Sequence, residues 1–219
     1  MPSSIFVFKS FVRSFLVLYV ATTAAASPNF SFAEGFLTEA ENWPLWADTL
    51  TRYKKEHVQI LACVADKSAC VKRMTALRHI LIKAPSLGRD EQIRLVNRYI
   101  NRKRHKNDKR VTTVDDYGTK RVQKNQFATL LEFLRRGGDC EDYAISKYFI
   151  LRELGFEADT LRIVIGFDRK TREHHAVLAV LREDGDVLLL ENDNKIRRNK
   201  YYGYRFVYSL NEKGVWRHS

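Results

Sequence analysis

The residues best suited to chemistry form one short run, Gly138-Asp139-Cys140-Glu141-Asp142-Tyr143-Ala144. Cys140 follows a Gly-Gly loop and opens a stretch with helical spacing. That position puts its sulfur at the positive end of the helix dipole, among backbone N–H groups with no intrahelical partner. Both effects favour the thiolate, which is the nucleophilic form. The same N–H groups could also receive the oxyanion of a tetrahedral intermediate. A lone cysteine is more often a buried structural residue, but three acids and two glycines make a poor setting for burial. The other two cysteines, Cys63 and Cys70, are spaced for a short local disulfide, which leaves Cys140 unpaired.

A thiol nucleophile needs a base and a group to orient that base. His175 opens the run His175-Ala176-Val177-Leu178-Ala179-Val180-Leu181. Strand alternation places it with Val177, Ala179 and Leu181, and places His174 on the opposite face. Pattern alone does not separate the two histidines. Asp193 follows the next β-rich run, 187–190, across a hairpin turn at Glu183-Asp184-Gly185-Asp186. Its carboxylate is expected beside the histidine, fixing the tautomer and steadying the imidazolium.

These groups must be held by elements that the pattern also predicts. Helical spacing covers 43–53 and 58–82, where Leu61, Val64, Val71, Met74 and Leu77 could share an apolar face. A break at Pro85-Ser86-Leu87-Gly88 precedes a helix at 91–101, capped by Ser86 or Asp90, with Ile93, Val96 and Ile100 inward. Shorter helices follow at 127–135, ended by Gly137-Gly138, and at 140–154, ended by Gly155. Strands are predicted at 161–167, 176–181, 187–190 and 204–208. Helices followed by an antiparallel sheet define an α+β fold with a helical N-terminal half and the nucleophile at a helix N-terminus.

At 219 residues the chain has room for one good core. A hydrophobic content of 45% with 12% aromatics excludes a disordered chain. Residues 1–26 read as an export signal. Lys9 and Arg13 precede the apolar run 15–21, and Ala24-Ala25-Ala26 offers a cleavage site. A single domain is then expected over 27–219, with no stable membrane insertion. The signal holds two cations and no acid, so +10 of the total +12 belongs to the remainder. The run Arg102-Lys103-Arg104-His105-Lys106-Asn107-Asp108-Lys109-Arg110 reads as a solvated surface, or as a patch that steers an acidic partner. It has no interleaved aromatics and no nucleic-acid motif, so no nucleic-acid partner is expected.

The segment 138–149, together with Leu151-Arg152-Glu153-Leu154-Gly155 and Leu161-Arg162-Ile163, resembles the core signature of the bacterial transglutaminase-like cysteine peptidases, whose best-known members are LapG-type periplasmic proteases. His175-Ala176-Val177-Leu178-Ala179-Val180, Asp193-Asn194 and Val96-Asn97-Arg98-Tyr99-Ile100-Asn101 extend the likeness over roughly 40–210. The resemblance implies a papain/transglutaminase-like fold with a Cys140-His175-Asp193 triad, and so selects His175 over His174. It implies Ca²⁺ held by Asp139, Glu141 and Asp142, since hard oxygen ligands suit that ion; an acidic helix start facing the dipole is the metal-free account of the same residues. It also implies a periplasmic location, a protein substrate such as a large surface adhesin, and an inner-membrane receptor responding to cyclic di-GMP.

Two departures stand out. Asp116-Tyr117-Gly118 and Gln126-Phe127 occupy positions where the family commonly carries tryptophans. Glu191-Asn192 precedes Asp193 where the family has a leucine before its Asp-Asn, so Glu191 and Asp184 are the substitute carboxylates. Two other functions share these residues. An amine that captures the acyl-enzyme would make the protein an acyl transferase, a transglutaminase or a peptidoglycan-modifying enzyme. A protein that kept the fold without turnover would be a basic periplasmic binding protein.

Overall fold

A computed structural model describes residues 30–33, 35–106, 111–114, 120–123, 127–199 and 203–218. The export signal expected at 1–26, the end of the basic run at 107–110, Asp116-Tyr117-Gly118 and Gln126 lie outside them. In chain order the elements are β1 (Phe36–Glu39), α1 (Pro44–Ala65), α2 (Thr75–Lys83), α3 (Arg89–Asn101), β2 (Val111–Val114), β3 (Lys120–Gln123), α4 (Leu130–Arg136), α5 (Cys140–Glu153), β4 (Leu161–Asp168), β5 (Glu173–Leu181), β6 (Val187–Leu190), β7 (Ile196–Arg198), β8 (Tyr204–Leu210) and β9 (Gly214–Arg217). Strands β2 and β3 pair with each other, and the other seven form one antiparallel sheet in the order β1-β9-β8-β4-β5-β6-β7.

The helices cover one face of this sheet. Ala144, Ile145, Tyr148, Phe149 and Leu151 of α5 are buried against Ala176, Leu178 and Val180 of β5 and against the inner residues of α3 and α4. Alternation sends Val177 and Ala179 to the far face, where they meet Leu189, Tyr204, Phe206 and Phe30 in a smaller cluster. At the start of α3, Ile93, Val96 and Ile100 point inward as expected, but the cap is different. Gly88 stands at the N-cap, and its N–H donates to Glu91 at 3.3 Å.

The helix expected at 58–82 is broken. A Cys63–Cys70 disulfide turns the chain through two short 3₁₀ turns between α1 and α2. The shared stripe expected there divides accordingly: Met74 and Leu77 are buried, while Leu61 and Val71 are exposed. Apolar periodicity continued across the break, and only the covalent cross-link shows where the helix had to stop.

Candidate active site

Helix α4 ends at Gly137, whose φ of +73° suits a residue without a side chain. A Cβ there would lie 2.1 Å from the Arg104 carbonyl oxygen. At Gly138 a Cβ would lie 2.0 Å from Asp142 Oδ2. The nucleophile loop is therefore clamped between the segment after α3 and the first turn of α5. His105 bridges Gly138, the Lys106 N–H donates to the Gly138 carbonyl at 2.9 Å, and the Tyr143 hydroxyl donates to the Lys103 carbonyl at 2.6 Å. Asp142 is buried and accepts the Ala128 N–H at 2.7 Å, tying the lead into α4 to the nucleophile helix.

Helix α5 opens at Cys140, and the Tyr143 N–H closes onto the Asp139 carbonyl at 3.2 Å. The Cys140 thiol donates to Glu141 Oε2 at 3.2 Å, and its sulfur accepts the Ala176 N–H. The sulfur therefore touches the peptide that leads out of His175. Sequence reasoning expected the helix start to favour the thiolate. Instead the thiol is held protonated well above its ordinary range, by burial first and by the Glu141 carboxylate next. The Ala176 hydrogen bond offsets only part of this.

The acids around Cys140 do not act as one set. Glu141 is pushed up to about 8 by burial and by its hydrogen-bonded neighbour Asp139. Asp139 Oδ1 is buried without a hydrogen-bond partner among the described residues. A carboxyl pushed up by burial and by its neighbour, beside an acid with an unsatisfied oxygen, suits a hard cation between the two. Asp142, expected as the third ligand, accepts the Ala128 N–H through Oδ1, and among the described residues no cluster of three or more His, Cys, Asp or Glu is arranged to hold a metal. Asp139 and Glu141 are the two of the three that meet each other.

His175 lies at the start of β5, paired with Gly166, and its ring sits 5.9 Å from that of Tyr204. Its Nε2 meets Glu191 Oε2 at 3.0 Å. The second oxygen of Glu191 accepts Arg197 Nε at 3.0 Å and the Tyr204 hydroxyl at 2.8 Å. Asp193, expected in this place, is elsewhere. Its carboxylate accepts the Lys195 N–H at 3.0 Å and Nζ at 2.6 Å, and its side chain is 45% exposed against 5% for Glu191. Burial works to raise the Asp193 pKa, but the Lys195 hydrogen bonds outweigh it and the net shift is downward. Asp184 pairs with Arg182 in the β5–β6 turn, and His174 is exposed against Phe167.

The reason for the exchange is local. Leu190 pairs with Leu178, so Glu191 is the first residue past β6 and keeps the parity of Leu189 and Val177, the face to which His175 belongs. The chain then reverses. Asn194 takes φ +70°, and the Glu191 N–H donates to the Lys195 carbonyl at 3.0 Å, which carries Asp193 out to solvent. Three helical side chains fix that loop. Asn97 donates to the Asn194 carbonyl at 3.2 Å, Asn101 to the Glu191 carbonyl at 2.8 Å, and the fully buried Lys147 ammonium to the same carbonyl at 2.6 Å. Sequence reasoning missed all three. A lysine amid the apolar positions of α5 was the visible signal. Lys147 lies seven residues after Cys140, so one helix both presents the sulfur and pins the loop that carries the histidine's carboxylate partner.

A thiol at the start of a central helix, and a histidine–carboxylate pair on the adjoining strands of an antiparallel sheet, define the papain/transglutaminase-like class of cysteine peptidases. The chain belongs to the bacterial transglutaminase-like cysteine proteinases, whose family model matches residues 51–218, and it is a cysteine peptidase. Among solved structures it is similar to LapG of Legionella pneumophila, at 28% identity and a TM-score of 0.58 over 74% of this chain and 86% of that one. The calcium-bound form of that LapG matches at 29% identity and 0.56, over 67% and 78%. The EGTA-treated form matches at 28% and 0.58, over 74% and 84%. No curated protein sequence matches the chain.

Proposed function

We propose that the chain is an exported, periplasmic endopeptidase of a single domain that cuts an exposed segment of a cell-surface or periplasmic protein, such as a large adhesin. The observation that carries this reading is the His175–Glu191 contact beside a sulfur bonded to the next peptide of the same strand. With Nε2–H donated to Glu191, Nδ1 keeps its lone pair and can act as the base. His175 takes the thiol proton as Cys140 Sγ attacks the scissile carbonyl carbon, and the oxyanion forms near the backbone N–H groups at the α5 start. Collapse breaks the C–N bond, and the leaving amine takes the proton from His175. Water, deprotonated by the same ring, then releases the acid and restores the thiol. Glu191, in place of Asp193, orients the ring and stabilises its charged form. Asp139 and Glu141 are the residues proposed to hold calcium, which would supply positive charge to the nucleophile loop. Control by an inner-membrane cyclic-di-GMP receptor is proposed on the family resemblance alone.

The test is mass-spectrometric mapping of exported proteins incubated with the wild type, Cys140→Ala and His175→Ala. Internal cleavage by the wild type and by neither variant is the expected result. Cleavage that survives in either variant removes the triad. Products capped by an added amine in place of water would make the enzyme an acyl transferase.

A further inference from the structure

Arg94 and Arg98 of α3 and Arg102 at its C-cap, which keeps helical backbone angles, recur at intervals of four, which stacks them on one face about 6 Å apart along the axis. With Asn97, Asn194 and Ile196 they line a groove of about 440 Å³. Arg94 has a long, exposed pairing with Asp90 at 3.9 Å. Arg98 and Arg102 have no ion pair among the described residues. From 95 to 106 the sequence contains no acid that could neutralise them.

Cations in a last helical turn interact favourably with the helix dipole, which accounts for Arg98 and Arg102 as ordinary surface residues. It does not account for Arg94 near the helix middle. Nor does it account for like charges placed four apart, which cost roughly 0.2–0.5 kcal/mol per pair. The groove is also placed close to the chemistry. Helix α3 holds the Glu191 loop through Asn97 and Asn101, and the segment after it backs the Gly137-Gly138 turn. Asn194, in the groove wall, is three residues from Glu191, and its side-chain amide makes no hydrogen bond among the described residues.

We propose that this groove docks an acidic, extended segment of the protein substrate, with carboxylates at alternate positions. The inference rests on the peptidase reading. Side chains on one face of an extended chain recur about every 6.6 Å, close to the ~6 Å rungs of the arginine ladder. Each guanidinium can receive a carboxylate in bidentate fashion. Arg94 can exchange its exposed contact with Asp90 for such a carboxylate at small cost. A single-stranded nucleic acid would meet the same charges, but neither wall of the groove offers an aromatic ring on which bases could stack.

The test is fluorescence anisotropy with full-length Cys140→Ala protein, so that binding is read without turnover. The probes are a labelled peptide of alternating Asp and Gly, its Asn-Gly counterpart, and a labelled oligothymidine of equal charge. The expected result is binding of the Asp-Gly peptide over both others, weakened about tenfold or more in Arg94→Gln/Arg98→Gln/Arg102→Gln protein of unchanged melting temperature. An Arg98→Lys variant keeps charge without the fork and is expected to fall between. Equal binding by the parent and the triple variant overturns the proposal, as does equal binding of the Asn-Gly peptide or tighter binding of oligothymidine. Loss of docking leaves the cleavage test untouched, and loss of cleavage leaves the docking measurement untouched, so the two failures are distinguishable.

Discussion

Two sets of carboxylates flank the Cys140 thiol, and they are finished to different degrees. Glu191 has both oxygens engaged, by His175 on one side and by Arg197 and Tyr204 on the other. Asp139 and Glu141 have each other, the Cys140 thiol and an oxygen with no partner among the described residues. Arg197 supplies a counter-charge for Glu191, whereas at Glu141 burial and the neighbouring Asp139 work against the charged form. The first set is fitted to orient a base continuously, and the second is fitted to respond to its surroundings.

The largest effect should come from breaking the finished site. Glu191→Gln keeps the shape but can no longer stabilise a charged imidazole, and an amide presented to Nε2 can favour the wrong tautomer. The turnover number should fall about 10³- to 10⁴-fold, with melting temperature nearly unchanged. Asp193→Asn should leave turnover within a few fold, since that carboxylate's hydrogen bonds go to Lys195 and not to His175. A reversal of these two results in steady-state cleavage assays would return the orienting role to Asp193.

The unfinished site should be the one that answers to metal. Calcium added to EGTA-treated protein should raise the melting temperature by roughly 5–10 °C at a hundredfold excess over its dissociation constant, the ~2.7 kcal/mol of mass action spread over a domain of this size. Asp139→Asn or Glu141→Gln should abolish the response. Without calcium those variants should melt no lower than the wild type, because each removes a poorly paired acid. A wild-type melting curve indifferent to calcium rejects this site.

Much of this was legible in the sequence. The α5 pattern, the strand led by His175 and the Gly-Gly turn each follow from local rules, and the structure places them within a residue or two. Strands β1, β7 and β9 were not seen, because three or four residues carry too little alternation to stand out. The choice between Glu191 and Asp193 depended on where β6 ends, which is set by pairing with β5 and β7 rather than by the acids themselves. Asp142 was expected as a ligand from the family resemblance, and its hydrogen bond to Ala128 was not foreseen. Its partner Ala128 is remote in sequence, and no local rule reaches it.

Lys147 holds the loop of the first carboxylate set through the Glu191 carbonyl, so its removal should loosen that set and leave the second alone. Lys147→Met fills the same buried space, and Asn101 still serves the Glu191 carbonyl. Stability near pH 7 should therefore change by less than about 1 kcal/mol, while kcat/KM falls roughly 30-fold as the loop loses its fixed position. Burial depresses the Lys147 pKa to about 7, against the opposing pull of Glu191 and Asp193. Between pH 7 and the ordinary lysine range the unfolded chain holds a proton that the folded one lacks, so this group adds stability as pH rises. In melting curves from pH 7 to 10, the methionine variant should lose that upward slope. An unaltered slope would assign the charge elsewhere.

The smallest effect should come from trimming the finished site by one bond. Tyr204→Phe removes the hydroxyl that donates to Glu191 at 2.8 Å and leaves Arg197 on the same oxygen. The carboxylate stays paired and charged, so the loss is that of one buried hydrogen bond, about 1 kcal/mol, or a fall in kcat/KM of about fivefold. The calcium response should be unchanged, because Tyr204 contacts the histidine's partner and not the nucleophile's acids. If Tyr204→Phe altered the calcium-dependent melting shift as much as it altered turnover, the two carboxylate sets would be one coupled network, and the division between an oriented site and a responsive one would fail.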